Sequence, residues 1–353
     1  MAPSANIPII DISSPGTDEA SVARQLVDAA AEHGFIYIKN TGHFMSPSDI
    51  DGIFDLSRKL FKAPVEEKAA CSRQANNRGW SDMYTEVLDP ETQKVGDYKE
   101  AFNFGIFEDG KAPQPLPKTI QFGEPQIGAF QDKCRSLCLR LLYLLGLGLD
   151  VQPPDFFSSA HIVPPRESGA ILRLLYYPDL APADVADTTP VRAGAHSDYG
   201  SITLLFRLPG QPGLEILTPE NEWAPVPVCP PGTESDPAPP ILINIGDLLS
   251  YWTNGLLRST VHRVVFSGQS QVPGETGTGP RYSIAFFYHP RGTVPLDPVP
   301  SERVRNFVSD ARAENANPYA ERKVLTADEH LHMRLKASHL GVYKDQESKS
   351  QTA

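Results

Sequence analysis

Two separate patterns in this chain could hold a metal ion between them. In Ala195-His196-Ser197-Asp198-Tyr199-Gly200 a histidine and an aspartate stand two residues apart. On a β-strand, side chains alternate between faces, so His196 and Asp198 would project the same way. A third ligand must come from another segment. His262, in the β-branched run Ser259-Thr260-Val261-His262-Arg263-Val264-Val265, is the candidate. Two imidazoles and a carboxylate on one face of a metal leave three positions open. That suits non-haem iron(II), because a co-substrate and O2 can then bind together. Each piece alone has a plainer reading: a structural or exposed His-x-Asp pair, and a core histidine with ordinary hydrogen bonds.

Downstream lies Arg281-Tyr282-Ser283. Arg281 and Ser283 share a strand face, and a guanidinium beside a hydroxyl is a natural clamp for a carboxylate. The same face carries Ala285, Phe287 and His289, whereas Tyr282, Ile284 and Phe286 point the other way. An exposed arginine on a surface strand is the simpler alternative.

Positioning these groups requires a scaffold of short strands. The patterns read as strands at Ile7–Ile12, Phe35–Lys39, Ile171–Tyr177, Ser201–Phe206, Leu214–Leu217, Ile241–Asn244, Leu256–Phe266 and Tyr282–Tyr288. Helical spacing marks Asp18–His33 with Gly34 as its stop, Ser48–Phe61, and the longer Gln126–Leu149. Asn254-Gly255 between apolar runs predicts a hairpin turn. Thr326 and Glu329 form a capping-box pattern that opens a helix to about Leu340, and the tail after Lys344 is polar and expected to be disordered. The segment from Cys71 to Gly123 reads as loops with short strands, and Pro225–Pro240 as a connecting loop. Regular short strands with turn signals point to a closed sandwich or jelly roll.

With the ligand pattern, the arginine clamp and their order in view, the sequence resembles the iron(II)- and 2-oxoglutarate-dependent dioxygenase superfamily, in its isopenicillin N synthase-like branch. That branch includes plant flavonoid and gibberellin oxygenases and many microbial biosynthetic enzymes. The resemblance also covers Ile243-Asn244-Ile245-Gly246-Asp247 and Trp252-Thr253-Asn254-Gly255. More loosely it covers Ile7-Pro8-Ile9-Ile10-Asp11, Gly34-Phe35-Ile36-Tyr37-Ile38 and Phe61-Lys62-Ala63-Pro64 followed by Glu66-Glu67-Lys68.

The resemblance implies an α+β protein: a double-stranded β-helix (jelly-roll) core wrapped by N-terminal and C-terminal helices. Residues 6–125 would form the N-terminal dioxygenase region, 126–165 a connecting helix, 166–291 the Fe(II)/2-oxoglutarate-binding core, and 292–353 a helical extension and polar tail. It implies Fe(II) on His196, Asp198 and His262, with 2-oxoglutarate as co-substrate and O2 as oxidant. The distal carboxylate of 2-oxoglutarate would meet Arg281 and Ser283, with Tyr177 also touching the co-substrate. A small organic substrate, expected to be a secondary metabolite, would be hydroxylated, desaturated or cyclised, with release of succinate and CO2. One departure is visible: many plant members carry Asn-Tyr-Tyr-Pro where this chain has Leu175-Tyr176-Tyr177-Pro178, so only Tyr177 carries over.

Alternation places Arg173, Leu175 and Tyr177 on one face, where Arg173 either meets the substrate or is held in a structural ion pair. Phe287 either packs against the substrate or belongs to the barrel core, and His289 is a pocket contact or a loop histidine. Phe102 and Phe104 are read as pocket walls, with core packing as the alternative. An oxidase of the same fold that uses no 2-oxoglutarate, and a catalytically silent binding protein, remain open beside the oxygenase reading.

Composition narrows the partners. The chain has 353 residues, 40% hydrophobic and 21% charged, with a formal net charge of −11, which disfavours nucleic acid and anionic membranes as partners. The start shows no secretory signal pattern, and the most apolar stretch, Leu137–Leu149, is short for a membrane span. Cys71, Cys134, Cys138 and Cys229 have no metal or redox spacing and read as reduced thiols of a cytoplasmic protein. A monomer is compatible with this reading, and nothing in the pattern fixes the oligomeric state.

Overall fold

The computed structural model describes residues 4–13, 18–89, 93, 95–179, 192–266, 279–307 and 324–338. Two sheets carry the site. The strands are β1 (Ile9–Ile10), β2 (Phe35–Ile38), β3 (Gly79–Ser81), β4 (Glu100–Gly105), β5 (Ile171–Tyr177), β6 (Ala193–His196), β7 (Ile202–Arg207), β8 (Leu214–Leu217), β9 (Trp223–Pro225), β10 (Ile241–Ile245), β11 (His262–Val264) and β12 (Arg281–Tyr288). The larger sheet has the order β1-β2-β10-β7-β12-β5-β4-β3, and the smaller one β6-β11-β8-β9. The N-terminal strands are thus hydrogen-bonded into the same sheet as the later ones.

The large sheet is buried on both faces, and parity decides where each residue goes. Ile36 and Ile38, Leu172 and Leu174, and Tyr282, Ile284 and Phe286 join one apolar cluster with the helices. Their neighbours Phe35 and Tyr37, Leu175 and Tyr177, and Ala285 join a second cluster with Ala193, Leu214, Ile216 and Val264 of the small sheet. The space between the sheets is therefore lined by one parity of each strand, and the helix-covered face by the other.

Helices α1 (Glu19–Glu32), α2 (Pro47–Lys62) and α5 (Glu124–Gly148) cover the outer face, with the short α3 (Val65–Ala69), α4 (Lys118–Gln121) and α6 (Phe156–Ala160) between them. Asp18 caps α1 by accepting from the Ala20 amide, and Ser46 and Asp49 close a reciprocal capping box on α2. Gly34 ends α1 at φ +68°. A side chain there would meet the Arg258 carbonyl at 2.3 Å, so glycine is required by both conformation and space. The expected capping box at Thr326 and Glu329 forms and opens the last described helix, Ala327–Ser338; its expected end near Leu340 and the polar tail lie outside the described residues.

Two expectations are corrected. Asn254-Gly255 is not a hairpin turn. Both residues have positive φ and terminate helix α7 (Asp247–Trp252), with the Gly255 amide donating to the Ser250 carbonyl. Nor is Leu256–Phe266 one strand, since only His262–Val264 pairs in a sheet. The preceding residues spend their hydrogen bonds elsewhere: the Arg258 amide on Ala30 at the end of α1, and the Thr260 hydroxyl on the His33 carbonyl.

His161, fully buried, joins the helical and sheet layers. Its Nδ1 donates to the Phe157 carbonyl, leaving Nε2 to accept from the Ser201 hydroxyl. Burial lowers its pKa from 6.5 to about 3, so the folded protein keeps it neutral. The unfolded chain takes up the proton first as pH falls, so stability present above 6.5 is lost as pH drops toward 3. Urea unfolding followed by circular dichroism should show the midpoint falling from about pH 7 to about pH 5, with a shallower fall in His161→Gln. Parallel slopes in the two proteins would show that His161 does not carry the effect.

Candidate active site

The three proposed ligands converge. One ligand atom from each of His196, Asp198 and His262 lies within 4.8 Å of the others. His262 on β11 is the direct cross-strand partner of His196 on β6, and Nε2 of His262 and of His196 lie 3.8 and 4.0 Å from Asp198 Oδ1. Strand alternation alone does not achieve this. Strand β6 ends at His196, and Asp198 stands in the following turn. That turn is held by the start of α7, where the Asp247, Leu248 and Gly246 amides donate to the carbonyls of Asp198, Gly200 and Ser201.

Every ligand atom is aimed by a second hydrogen bond. Nδ1 of His196 donates to the Gly194 carbonyl and Nδ1 of His262 to the Thr260 carbonyl, which turns both Nε2 lone pairs toward Asp198. Asp198 Oδ2 accepts from Thr203 Oγ1 and Asn244 Nδ2, each at 2.7 Å, and Oδ1 is left for a cation. Burial, and then the neighbouring His262, hold the His196 pKa at about 3, so the ring is neutral. Burial alone would push the Asp198 carboxyl up, but the two imidazoles and the two hydrogen-bond donors more than offset it and lower its pKa. Two imidazoles and a carboxylate on one face fit a divalent iron ion with open positions.

Asp247 ties the ligand segments together. Its carboxylate accepts from Ser197, between His196 and Asp198, and from Ser259, three residues before His262. Its counter-ion is Arg334 of the last described helix, here α9, with α8 at Glu302–Arg305. The same helix brings Leu331 and His332 to the wall of the cavity in front of the ligands.

That cavity, about 400 Å³, is also lined by Arg281, Ser283, Tyr177, Leu175, Arg173, Phe287 and His289. Arg281 is 2% exposed, lies over the Tyr177 ring and bonds Ser283 Oγ at 3.3 Å. It has no carboxylate partner among the described residues, and its Nε has no hydrogen-bond partner there either. A buried guanidinium without a counter-ion is costly unless an anion arrives, and a carboxylate supplies one.

Arg173 both lines the cavity and is ion-paired, its Nη2 bound to Glu86. Glu86 also pairs with Arg73 and Lys99, and Lys99 with Asp97. Phe102 and Phe104 are corrected: both are fully buried in the helix-side cluster and neither lines the cavity. The β4–β5 register explains it. Asn103 lies opposite the inward-facing Arg173, so Phe102 and Phe104 must face outward, and Asn103 takes the wall position.

Comparison with known proteins agrees with this geometry. Residues 7–122 match the family model for the N-terminal region of non-haem dioxygenases in morphine synthesis, and residues 168–290 match that of the 2OG-Fe(II) oxygenase superfamily. The UPF0676 protein C1494.01 of Schizosaccharomyces pombe is 36% identical, covering 88% of this chain and 90% of that protein. The 2-oxoglutarate-dependent dioxygenase htyE of Aspergillus rugulosus is 30% identical, covering 81% and 87%. The chain belongs to the 2OG-Fe(II) oxygenase superfamily. Among solved structures, a full-length Neurospora crassa protein crystallised in complex with alpha-KG and thymine superposes with a TM-score of 0.74 at 26% identity, covering 96% of this chain and 99% of that one. The protein is a 2-oxoglutarate-dependent dioxygenase, with Fe(II) and 2-oxoglutarate as its metal and co-substrate. No helix of its described residues is long and apolar enough to cross a membrane.

Several residues that build this oxygenase site escaped the sequence reading. Thr203 and Asn244 carry no motif of their own, although Asn244 stands inside a segment typical of the family. Glu86 and Asn103 lie in the loop-rich segment; only the strand register reveals the inward face of Asn103, and Glu86 stands outside any strand. Arg334 was invisible because its partner is far away in sequence. Thr203→Val keeps shape while removing a donor to Asp198, and should weaken Co(II) or Fe(II) binding about tenfold or more, measured by anaerobic calorimetry. Unaltered affinity would mean that this hydrogen bond does not orient the ligand.

Proposed function

We propose that His196, Asp198 and His262 hold the iron, and that Arg281 and Ser283, with Tyr177 beneath the guanidinium, receive the distal carboxylate of 2-oxoglutarate. The convergence of the three ligand atoms in the cavity that also contains a buried, counter-ion-free Arg281 carries this reading. Leu175, opposite Ser283 in the β5–β12 register, offers the co-substrate's methylene chain an apolar wall in place of the amide found in many plant members. Fe(II) with bound 2-oxoglutarate supplies the oxidising power from O2, with succinate and CO2 released.

The chain's own residues do the rest. Thr203 and Asn244 hold Asp198 in its ligating orientation, Asp247 fixes the two ligand segments, and Arg281 neutralises the incoming anion. Arg173, Phe287 and His289 lie on the strand faces of the co-substrate clamp and form the substrate's side of the cavity. The substrate is a small organic molecule, a secondary metabolite, that is hydroxylated, desaturated or cyclised. The volume of about 400 Å³ supports a small molecule bound beside 2-oxoglutarate, and the solved relative that holds alpha-KG with thymine is in keeping with it. The net charge of −11 and three buried thiols support a cytoplasmic protein that acts on neither nucleic acid nor membrane.

His196→Ala and Asp198→Ala should each abolish succinate release while the protein remains folded by circular dichroism; full turnover in both would remove the metal assignment. Arg281→Ala should raise the 2-oxoglutarate concentration needed for half-maximal succinate release about tenfold or more. An unchanged requirement would assign Arg281 to a substrate carboxylate, as in an oxidase of this fold that needs no 2-oxoglutarate.

A further inference from the structure

Asp198 stands in a turn rather than in a strand, and both residues beside it are gripped from outside by one side chain. Arg334 Nη2 donates to Ser197 Oγ at 3.2 Å, and its guanidinium lies over the Tyr199 ring, 5.4 Å from the centroid. The same guanidinium pairs with Asp247 at 2.7 Å. Asp247 in turn accepts from Ser197 and Ser259, and its backbone amide donates to the Asp198 carbonyl. Arg334 therefore holds the segment of His196 and Asp198 directly and through Asp247, and by way of Ser259 it reaches the approach to His262.

Matched helix faces fix where Arg334 arrives. Asp247 and Tyr251 are four residues apart on α7, and His330 and Arg334 are four apart on α9, so each pair shares one face of its helix. Arg334 meets Asp247, and the buried His330 ring lies 5.3 Å from that of Tyr251. Two such rungs set both the rotation of α9 on α7 and its sliding position. Leu331, one turn before Arg334, then reaches the cavity wall.

The Asp247 side chain is 11% exposed. Without a cation beside it, a carboxylate at that depth would be a desolvated and unpaired charge, which is relieved by turning toward water. Turning Asp247 outward would release Ser197 and Ser259 together, and with them the spacing of the two ligand segments. The loss would fall on the metal ligands rather than on the sheets, because the pairings of β6 and β11 do not pass through Asp247.

We propose that Arg334 is a positioning residue for the iron site. Docked on Ser197, Tyr199 and Asp247, it makes the geometry of His196, Asp198 and His262 depend on the seating of α9, the helix that also lines the cavity. That role rests on the metal assignment above.

The full chain is titrated anaerobically with Co(II), with affinity read by calorimetry and ligand geometry by the visible absorption of the bound ion. Arg334→Met keeps an apolar stem and removes the charge and the donors. It should bind Co(II) about tenfold or more weakly, with altered absorption bands, while circular dichroism stays that of the wild type. Arg334→Lys, which keeps the charge, should recover most of the affinity and the wild-type bands. Met333→Ala, an exposed change on the same helix, should alter neither. In the double variant with Asp247→Asn the two losses should not multiply, since both changes break one brace.

Wild-type affinity and bands in Arg334→Met would overturn the inference and leave Arg334 as a helix anchor. So would an equal loss in Met333→Ala, or losses that multiply in the double variant. If Arg334→Met does not fold, Arg334→Lys and Arg334→Gln decide: equal affinities in the two folded proteins would overturn it, and a weaker glutamine variant would support it. A wild type that binds no Co(II), or binding unchanged in His196→Ala, would instead sink the metal assignment, and this role with it.

Discussion

The site depends on how one carboxylate is divided. Asp198 gives Oδ2 to Thr203 and Asn244 and turns Oδ1 to two imidazoles. Thr203 and Asn244 are cross-strand neighbours on β7 and β10, at the centre of the large sheet, whereas His196 and His262 are neighbours in the small one. A single side chain in a turn therefore bridges the two sheets at the point where they enclose the cavity. If the carboxylate rotated, the fold would survive but the ligand set would not point at a common centre. The low dielectric of the interior makes this arrangement sensitive, because an unpaired donor or acceptor there carries a large desolvation penalty.

The two-faced large sheet explains why chemistry and packing do not compete for the same positions. On β12, Tyr282, Ile284, Phe286 and Tyr288 hold the helices, while Arg281, Ser283, Ala285 and Phe287 address the cavity. On β5 the same division separates Leu172 and Leu174 from Arg173, Leu175 and Tyr177. Polar side chains on the inner parity are tolerated because they find one another or await a ligand. The Glu86 cluster is the clearest case: three cations share its carboxylate, and removing one partner from such a buried network costs about 3–5 kcal/mol.

Much of this was legible in the sequence wherever one local rule governed the outcome. Alternation along Arg281–Tyr288 and Ile171–Tyr177 named the inward residues correctly, and helical spacing with Gly34 and the Thr326 capping box located helix ends. Local rules failed where a distant partner took the hydrogen bonds. Asn254-Gly255 has turn chemistry, but it ends a helix because the preceding residues lean on the turn at Asp198. Phe102 and Phe104 look like pocket walls by type, yet their parity is set by pairing with β5, a register no local pattern encodes. The proposed metal triad could be picked out by residue type and order. The reason for its convergence could not, since His196 and Asp198 meet through a supported turn rather than through a continuous strand.

The Arg334–Asp247 pair couples chain order to pocket assembly. All three ligands precede α9 in the sequence, and the arginine that neutralises their shared brace arrives only with that helix. On a chain made from its N-terminus, the ligand segments emerge while Asp247 still lacks its counter-ion and the front of the cavity lacks Leu331 and His332. Assembly of that wall is thereby deferred until nearly the whole polypeptide is available, so an abbreviated product of translation would lack it.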